Sequence, residues 1–162
     1  MSIPPASRQE FTLGECADLI STEAWRIRNF VTAANAFGIK AELRATSDKR
    51  SLRYFSGLEL AKMAIILLLL EDGFTPKTAT EALATLSDST LKKWLDSKGE
   101  NAVLLRMLGK WQALSTKEAD QEVQKRSSPG LYLLRVTEVV STVRQRINEH
   151  WEKENGPIEG KK

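Results

Sequence analysis

The chain has 162 residues, of which 28% are charged, with 24 Lys and Arg against 21 Asp and Glu for a formal net charge of +3. A chain of this length forms one domain, or one domain with an appendage, and buries about two-thirds of its unfolded surface, so its core needs no disulfide staple. One cysteine, Cys16, and one histidine, His150, exclude a Cys/His metal centre or a Cys-His catalytic pair built from those residue types alone.

The opening "MSIPPASRQEF" lacks the apolar core of a secretory signal. No apolar run approaches the ~20 residues a membrane crossing requires, so the expectation is a cytoplasmic protein that makes no use of a membrane. In "FTLGECADLI", Thr12 and Glu15 stand at capping-box spacing, and Cys16, Leu19 and Ile20 follow on one side of about two turns, which predicts a first helix. Cys16 reads as a small core residue. After Ser21-Thr22 comes a second helix in "EAWRIRNFVTAANAF", with Trp25 or Ala24, Ile27 and Val31 facing inward and Arg26 and Arg28 pointing elsewhere. Two short helices across a tight turn make a helix-turn-helix pattern. Trp25 reads as a core or edge anchor rather than a base-stacking residue.

Next, Ile39, Ala41 and Leu43 alternate with Lys40, Glu42 and Arg44, and a polar turn leads into "RSLRYFS", so this stretch reads as a hairpin, or wing. From Arg26 to Arg53 there are seven basic residues against two acids, while the rest of the chain nearly balances. Ser56 and Glu59 form a capping box for a third helix, whose run from Met63 to Leu70 is too short to span a bilayer and therefore reads as buried. Gly73 closes that helix in a left-handed C-cap. Thr75-Pro76 then opens a fourth helix carrying Ala79, Ala82, Leu83 and Leu86.

Beyond Leu86 the character changes and a boundary is placed there. "SDSTLKKWLDSKGE" reads as a short helix or linker that docks through Leu91, Trp94 and Leu95. "AVLLRMLGKWQALS" reads as two strands around a Gly109-Lys110 turn, with a helix over "ENAVLLRMLGKW" as the alternative, and "GLYLLRV" as a third strand. Between them "TKEADQEVQKRSSPG" reads as a polar loop with at most one frayed helical turn. Thr137 caps a last helix on which Val140, Val143, Ile147 and His150 form a short heptad-like seam that packs on its own domain. His150 and Trp151 read as edge residues of that packing, without a ligand role. The expected fold is mainly α with small β: a winged helix-turn-helix domain over residues 10–86, a small C-terminal α+β region over 87–155, and a disordered tail over 156–162.

Four blocks resemble the MerR-type winged helix-turn-helix family of bacterial transcription regulators. "FTLGECADL" is similar to the family's opening Tyr-Thr-Ile-Gly-Glu-Leu-Ala-x-Leu, and "WRIRNF" falls at its Leu-Arg-Tyr-Tyr run. "LRYFSGLELAKMAII" is similar to Tyr-Arg-Tyr-Tyr-Ser-x-x-Asp-Leu-x-x-Leu, and "EDGFTPKTATEAL" to the Gly-Phe-Ser-Leu turn that opens the fourth helix. The likeness covers Phe11 to Leu83, and the order of the blocks makes it more specific than any one of them. The chain departs from the pattern at Asn29 and Phe30, at the Ser21-Thr22-Glu23 turn, and in a longer segment between Phe30 and Arg53. The family's long dimer helix has no counterpart after Leu83, where Gly99 and strand-like stretches intervene.

What the resemblance implies is a sequence-specific regulator of transcription bound to double-stranded DNA. Its second helix would enter the major groove, with Arg26 and Arg28 on guanine edges or phosphates and Asn29 on adenine. Arg44, Lys49, Arg50 and Arg53 on the wing would neutralise phosphates, and the Tyr54 hydroxyl would donate to one. The C-terminal region is left with dimerisation, forming a homodimer, or partner contact, or sensing. No catalytic residue, cofactor or metal is expected, and the chain does not read as an enzyme. Two rivals stand beside this reading: an excisionase-like architectural protein that bends DNA, and a protein-interaction or antitoxin-type module without direct DNA readout.

Overall fold

The apolar run at Met63–Leu70 lies at the centre of the molecule. The computed structural model describes residues 2–32, 37–48, 50–125 and 130–156. In chain order these form a 3₁₀ turn (Ala6–Arg8), β1 (Glu10–Thr12), α1 (Leu13–Leu19), α2 (Ala24–Thr32), β2 (Glu42–Ala45), β3 (Ser51–Ser56), α3 (Gly57–Glu71), α4 (Pro76–Ala84) and α5 (Asp88–Asp96), followed by β4 (Ala102–Met107), β5 (Lys110–Ser115), α6 (Thr116–Lys125), β6 (Tyr132–Leu134) and α7 (Val136–Asn155). The result is a mixed, helix-rich α/β structure with two three-stranded antiparallel sheets, ordered β1-β3-β2 and β5-β4-β6. Among the described residues no helix is long and apolar enough to cross a membrane.

Every residue of α3 from Gly57 to Leu67 is buried, as is Leu69. A helix apolar on all sides must be surrounded. Here it is surrounded by the 3₁₀ turn, β3, α4, α5 and α7. The last of these lays Val136, Val140, Val143 and Ile147 into the core, so the short seam packs within its own chain. Leu91, Trp94 and Leu95 of α5 are buried in the same continuous cluster, which runs across residue 86 without a break.

Local signals explain most boundaries. Thr12 and Glu15 complete a reciprocal capping box at α1. Gly73, at φ +92, follows α3, with Phe74 N–H donating to Leu69 O and Gly73 N–H to Leu70 O, the paired bonds of a Schellman motif. Thr75 caps α4 and Ser87 caps α5. At α3 only half of the expected box forms. Ser56 Oγ accepts from Glu59 N–H, but the Glu59 carboxylate turns to Lys40 N–H (3.0 Å) and Lys62 Nζ (3.2 Å). Lys62 also reaches Asp88 at 2.9 Å. Burial pushes the Lys62 pKa down, and the hydrogen bond and charge of Asp88, with those of Glu59, more than offset it, so the ammonium stays charged.

Several expectations are corrected. The polar segment after Ser115 is a ten-residue helix rather than a loop; Ser115 Oγ accepts from Glu118 N–H while Glu118 accepts from Ser115 N–H, a complete capping box. The β4–β5 turn is Leu108-Gly109, one residue earlier than expected, because Met107 pairs with Lys110. Both turn residues have positive φ, as a type I′ hairpin requires. Ile39 is not in a strand but plugs the core, and β2 starts only at Glu42. The cap of α7 is Arg135 rather than Thr137, whose hydroxyl instead exchanges hydrogen bonds with the backbone of Ala102.

The opening segment, given no structure by its sequence, straps the core. Ser7 donates from N–H and Oγ to Asp96 at 2.9 and 2.6 Å. Gly57 permits the strap, since a Cβ there would stand 1.9 Å from Ala6 O.

Candidate functional site

The outward face of α2 is set by what the helix buries. Ile27 and Phe30 face the core, with the Phe30 ring meeting Phe37 edge-on at 5.5 Å. At ~100° per residue, the side opposite this pair carries Trp25, Arg28, Asn29 and Thr32, and all four are exposed. Trp25 is therefore not a core anchor. It lies about 200° around the helix from Ile27 and about 140° from Phe30, is 54% exposed, and donates its indole N–H to Glu23. Arg26, at the flank, pairs with Glu71 at the end of α3 at 3.3 Å. The side chains of Arg28 and Asn29 have no polar partner among the described residues.

The hairpin is equally asymmetric. Strand alternation and register put Glu10, Glu42, Arg44, Leu52 and Tyr54 on one face and Phe11, Leu43, Arg53 and Phe55 on the other. Arg44 is held on its face by two carboxylates, Glu10 at 2.6 Å and Glu42 at 2.9 Å, and lies 4.7 Å over the Tyr54 ring. The hydrogen bond from Arg44 holds the Glu42 carboxyl below its usual range, and the guanidinium is pushed further up by its bonds to Glu42 and Glu10. This group braces the sheet from β1 to β2 and leaves Arg44 neutralised. Arg53, half-buried opposite Leu43, and Arg50, exposed in the turn whose carbonyl Thr46 closes at 2.7 Å, keep side chains without partners among the described residues. Lys49 lies outside those residues.

The structure thus separates the seven described members of the eight sequence-predicted site residues. Arg28, Asn29, Arg50 and Arg53 present polar groups without a partner among the described residues, whereas Arg26, Arg44 and Tyr54 are engaged locally. No model of a known protein family matches the chain, and no curated protein matches it either. Sequence reasoning missed Glu10 and Glu71, the acids that hold Arg44 and Arg26, because they lie 34 and 45 residues away. Thr32 was also missed, although its spacing of three and four from Asn29 and Arg28 placed it on the same stripe. Cys16 is buried as expected; burial, then the charge of Glu15, push its thiol up to about 12, which keeps it protonated and unreactive at neutral pH.

Proposed function

We propose that this chain binds double-stranded DNA as a winged helix-turn-helix regulator, with α2 in the major groove and the β2–β3 hairpin along the phosphates. The observation that carries the reading is the outward stripe of α2, where Arg28 and Asn29 stand exposed and, among the described residues, unpaired between Trp25 and Thr32 while Ile27 and Phe30 anchor the helix. Arg and Asn are the side chains that donate to guanine and pair with adenine in that groove. Further support comes from the order strand, helix, helix, hairpin, helix and the sheet order β1-β3-β2, which ties the hairpin to the strand preceding α1. Arg50 and Arg53 supply the phosphate contacts; Arg44 and Tyr54 shape the wing.

Binding of the full chain to a pool of random duplexes, followed by titration of salt, tests this. Arg28→Ala should weaken binding to selected duplexes by about 1–3 kcal/mol. Arg53→Ala should weaken binding to all duplexes alike and reduce the salt slope by about one. Full binding by both variants would refute the site. An architectural role is the second reading, favoured by Leu43 and Leu52, which are 64% and 42% exposed on opposite hairpin faces; apolar side chains of this kind wedge between base steps and bend DNA. A strong bend in the complex selects that role.

A further inference from the structure

Three side chains from distant parts of the sequence converge beside Phe11. His150 and Glu154 stand one turn apart on α7 and face Glu15 of α1; His150 Nε2 lies 3.4 Å from Glu154 Oε1 and 3.8 Å from Glu15 Oε1. The three ligand atoms fall within 4.8 Å of one another. Ligands about 2.1 Å from a tetrahedral zinc ion are about 3.4 Å apart, so both imidazole–carboxylate spacings already suit one ion. Glu154, with a side chain 59% exposed, is free to supply the remaining adjustment.

The other contacts orient these groups without occupying them. Glu15 uses Oε2 to accept from Thr12 N–H at 2.7 Å, which fixes the carboxylate and leaves Oε1 aimed at the imidazole. The Phe11 ring meets the imidazole edge-on at 5.7 Å and sets its plane. Neither Glu15 nor Glu154 pairs with a lysine or arginine among the described residues; Arg146 and Lys153 line the same cleft, but Arg146 donates to Leu19 O and Ser21 Oγ instead. The sequence reading gave His150 no ligand role, yet a glutamate four residues on shares its helix face.

We propose that Glu15, His150 and Glu154 bind a divalent transition metal, with zinc the ion best suited to one imidazole, two carboxylates and a water in the fourth position. The site does not depend on the DNA-binding reading. Its consequence is mechanical: the ion clips α7 to α1, the helix that leads into α2, and so couples the C-terminal helix to the outward stripe.

Titration of the metal-free full chain with zinc chloride, read by calorimetry and thermal melting, tests the assignment. One zinc ion should bind per chain and raise the melting temperature. His150→Gln and Glu154→Gln should each lower the affinity by more than the about 10- to 100-fold typical of losing a group behind the ligands. Glu149→Gln, a neighbouring carboxylate bonded instead to Gln145, should keep it. Glu154 is exposed, so its variant keeps the fold and isolates the ligand effect. No zinc uptake by the native chain, native affinity in the His150 and Glu154 variants, or an equal loss in the Glu149 variant overturns the proposal.

Discussion

The two three-stranded sheets share a plan, each with a six-residue central strand flanked antiparallel on both sides, yet their faces meet different surroundings. In β1-β3-β2 the far strand β2 buries no residue, and β3 buries only Phe55. In β5-β4-β6 the central strand buries four of its six residues. Leu104 joins the main core, while Val103, Leu105 and Met107 alternate to the other side, where α6 packs. Equal hydrogen-bond topology therefore yields a projecting flap in one case and a structural layer in the other. What covers the faces decides the outcome, and the flap is the sheet that leaves most of its side chains unburied.

The largest effect is expected in the core beneath the first sheet, at the joint where Lys62 links Glu59, beside the chain entering that sheet, to Asp88 at the start of α5. Lys62→Met leaves the buried Glu59 carboxylate without its cation and should destabilise the whole fold by about 3–5 kcal/mol in urea unfolding. A loss under 1 kcal/mol would mean the joint is solvated. Next in size is a matched pair of truncations. Leu104→Ala should cost about 2–5 kcal/mol by opening a cavity in the core, whereas Leu43→Ala should stay within about 0.5 kcal/mol. Similar losses at both sites would erase the distinction between flap and layer.

The smallest effect is a pH dependence shared by both regions. Hydrogen bonds from Arg44, Lys62 and Ser115 hold Glu42, Asp88 and Glu118 respectively below their usual carboxyl ranges. Groups depressed in the folded state bind fewer protons there than when unfolded. Their contribution is complete above the unfolded values near pH 4 and is lost as pH falls through the folded ones. Unfolding midpoints should thus decline below about pH 4, and Glu118→Gln, which removes a carboxyl held down mainly by the Ser115 backbone N–H, should make that decline shallower. An unchanged acid profile in this variant would remove Glu118 from the account.

Much of the fold was legible where the signal was local. Thr12-Glu15, Ser56, Gly73, Thr75-Pro76 and Ser87 each mark a helix boundary through bonds spanning a few residues, and the α3 run announced its burial by being apolar on every side. What escaped was long-range or quiet. The Ala6–Arg8 strap depends on Asp96, 89 residues from Ser7, and on space that only Gly57 leaves. Helix α6 buries a single residue, Ala119, so it carried no periodic apolar signal, although Ser115 and Glu118 stood at capping-box spacing. Within the candidate site, exposure of Arg28 followed from the phase of Ile27. Trp25 departs from the core placement expected of a large aromatic because Ile27 and Phe30 together fix the buried side of α2. Arg44 looked free because Glu10 is near it only in three dimensions.

The exposed indole of Trp25 has a practical corollary. Of the four tryptophans in the chain, Trp94 is buried and Trp111 and Trp151 are half-buried, while Trp25 alone stands in the open, on the same helix stripe as Arg28. It should emit to the red of the other three and be the most open to collisional quenchers such as iodide. The protein thus carries its own fluorescent reporter at the surface where any molecule gripping α2 would shield it.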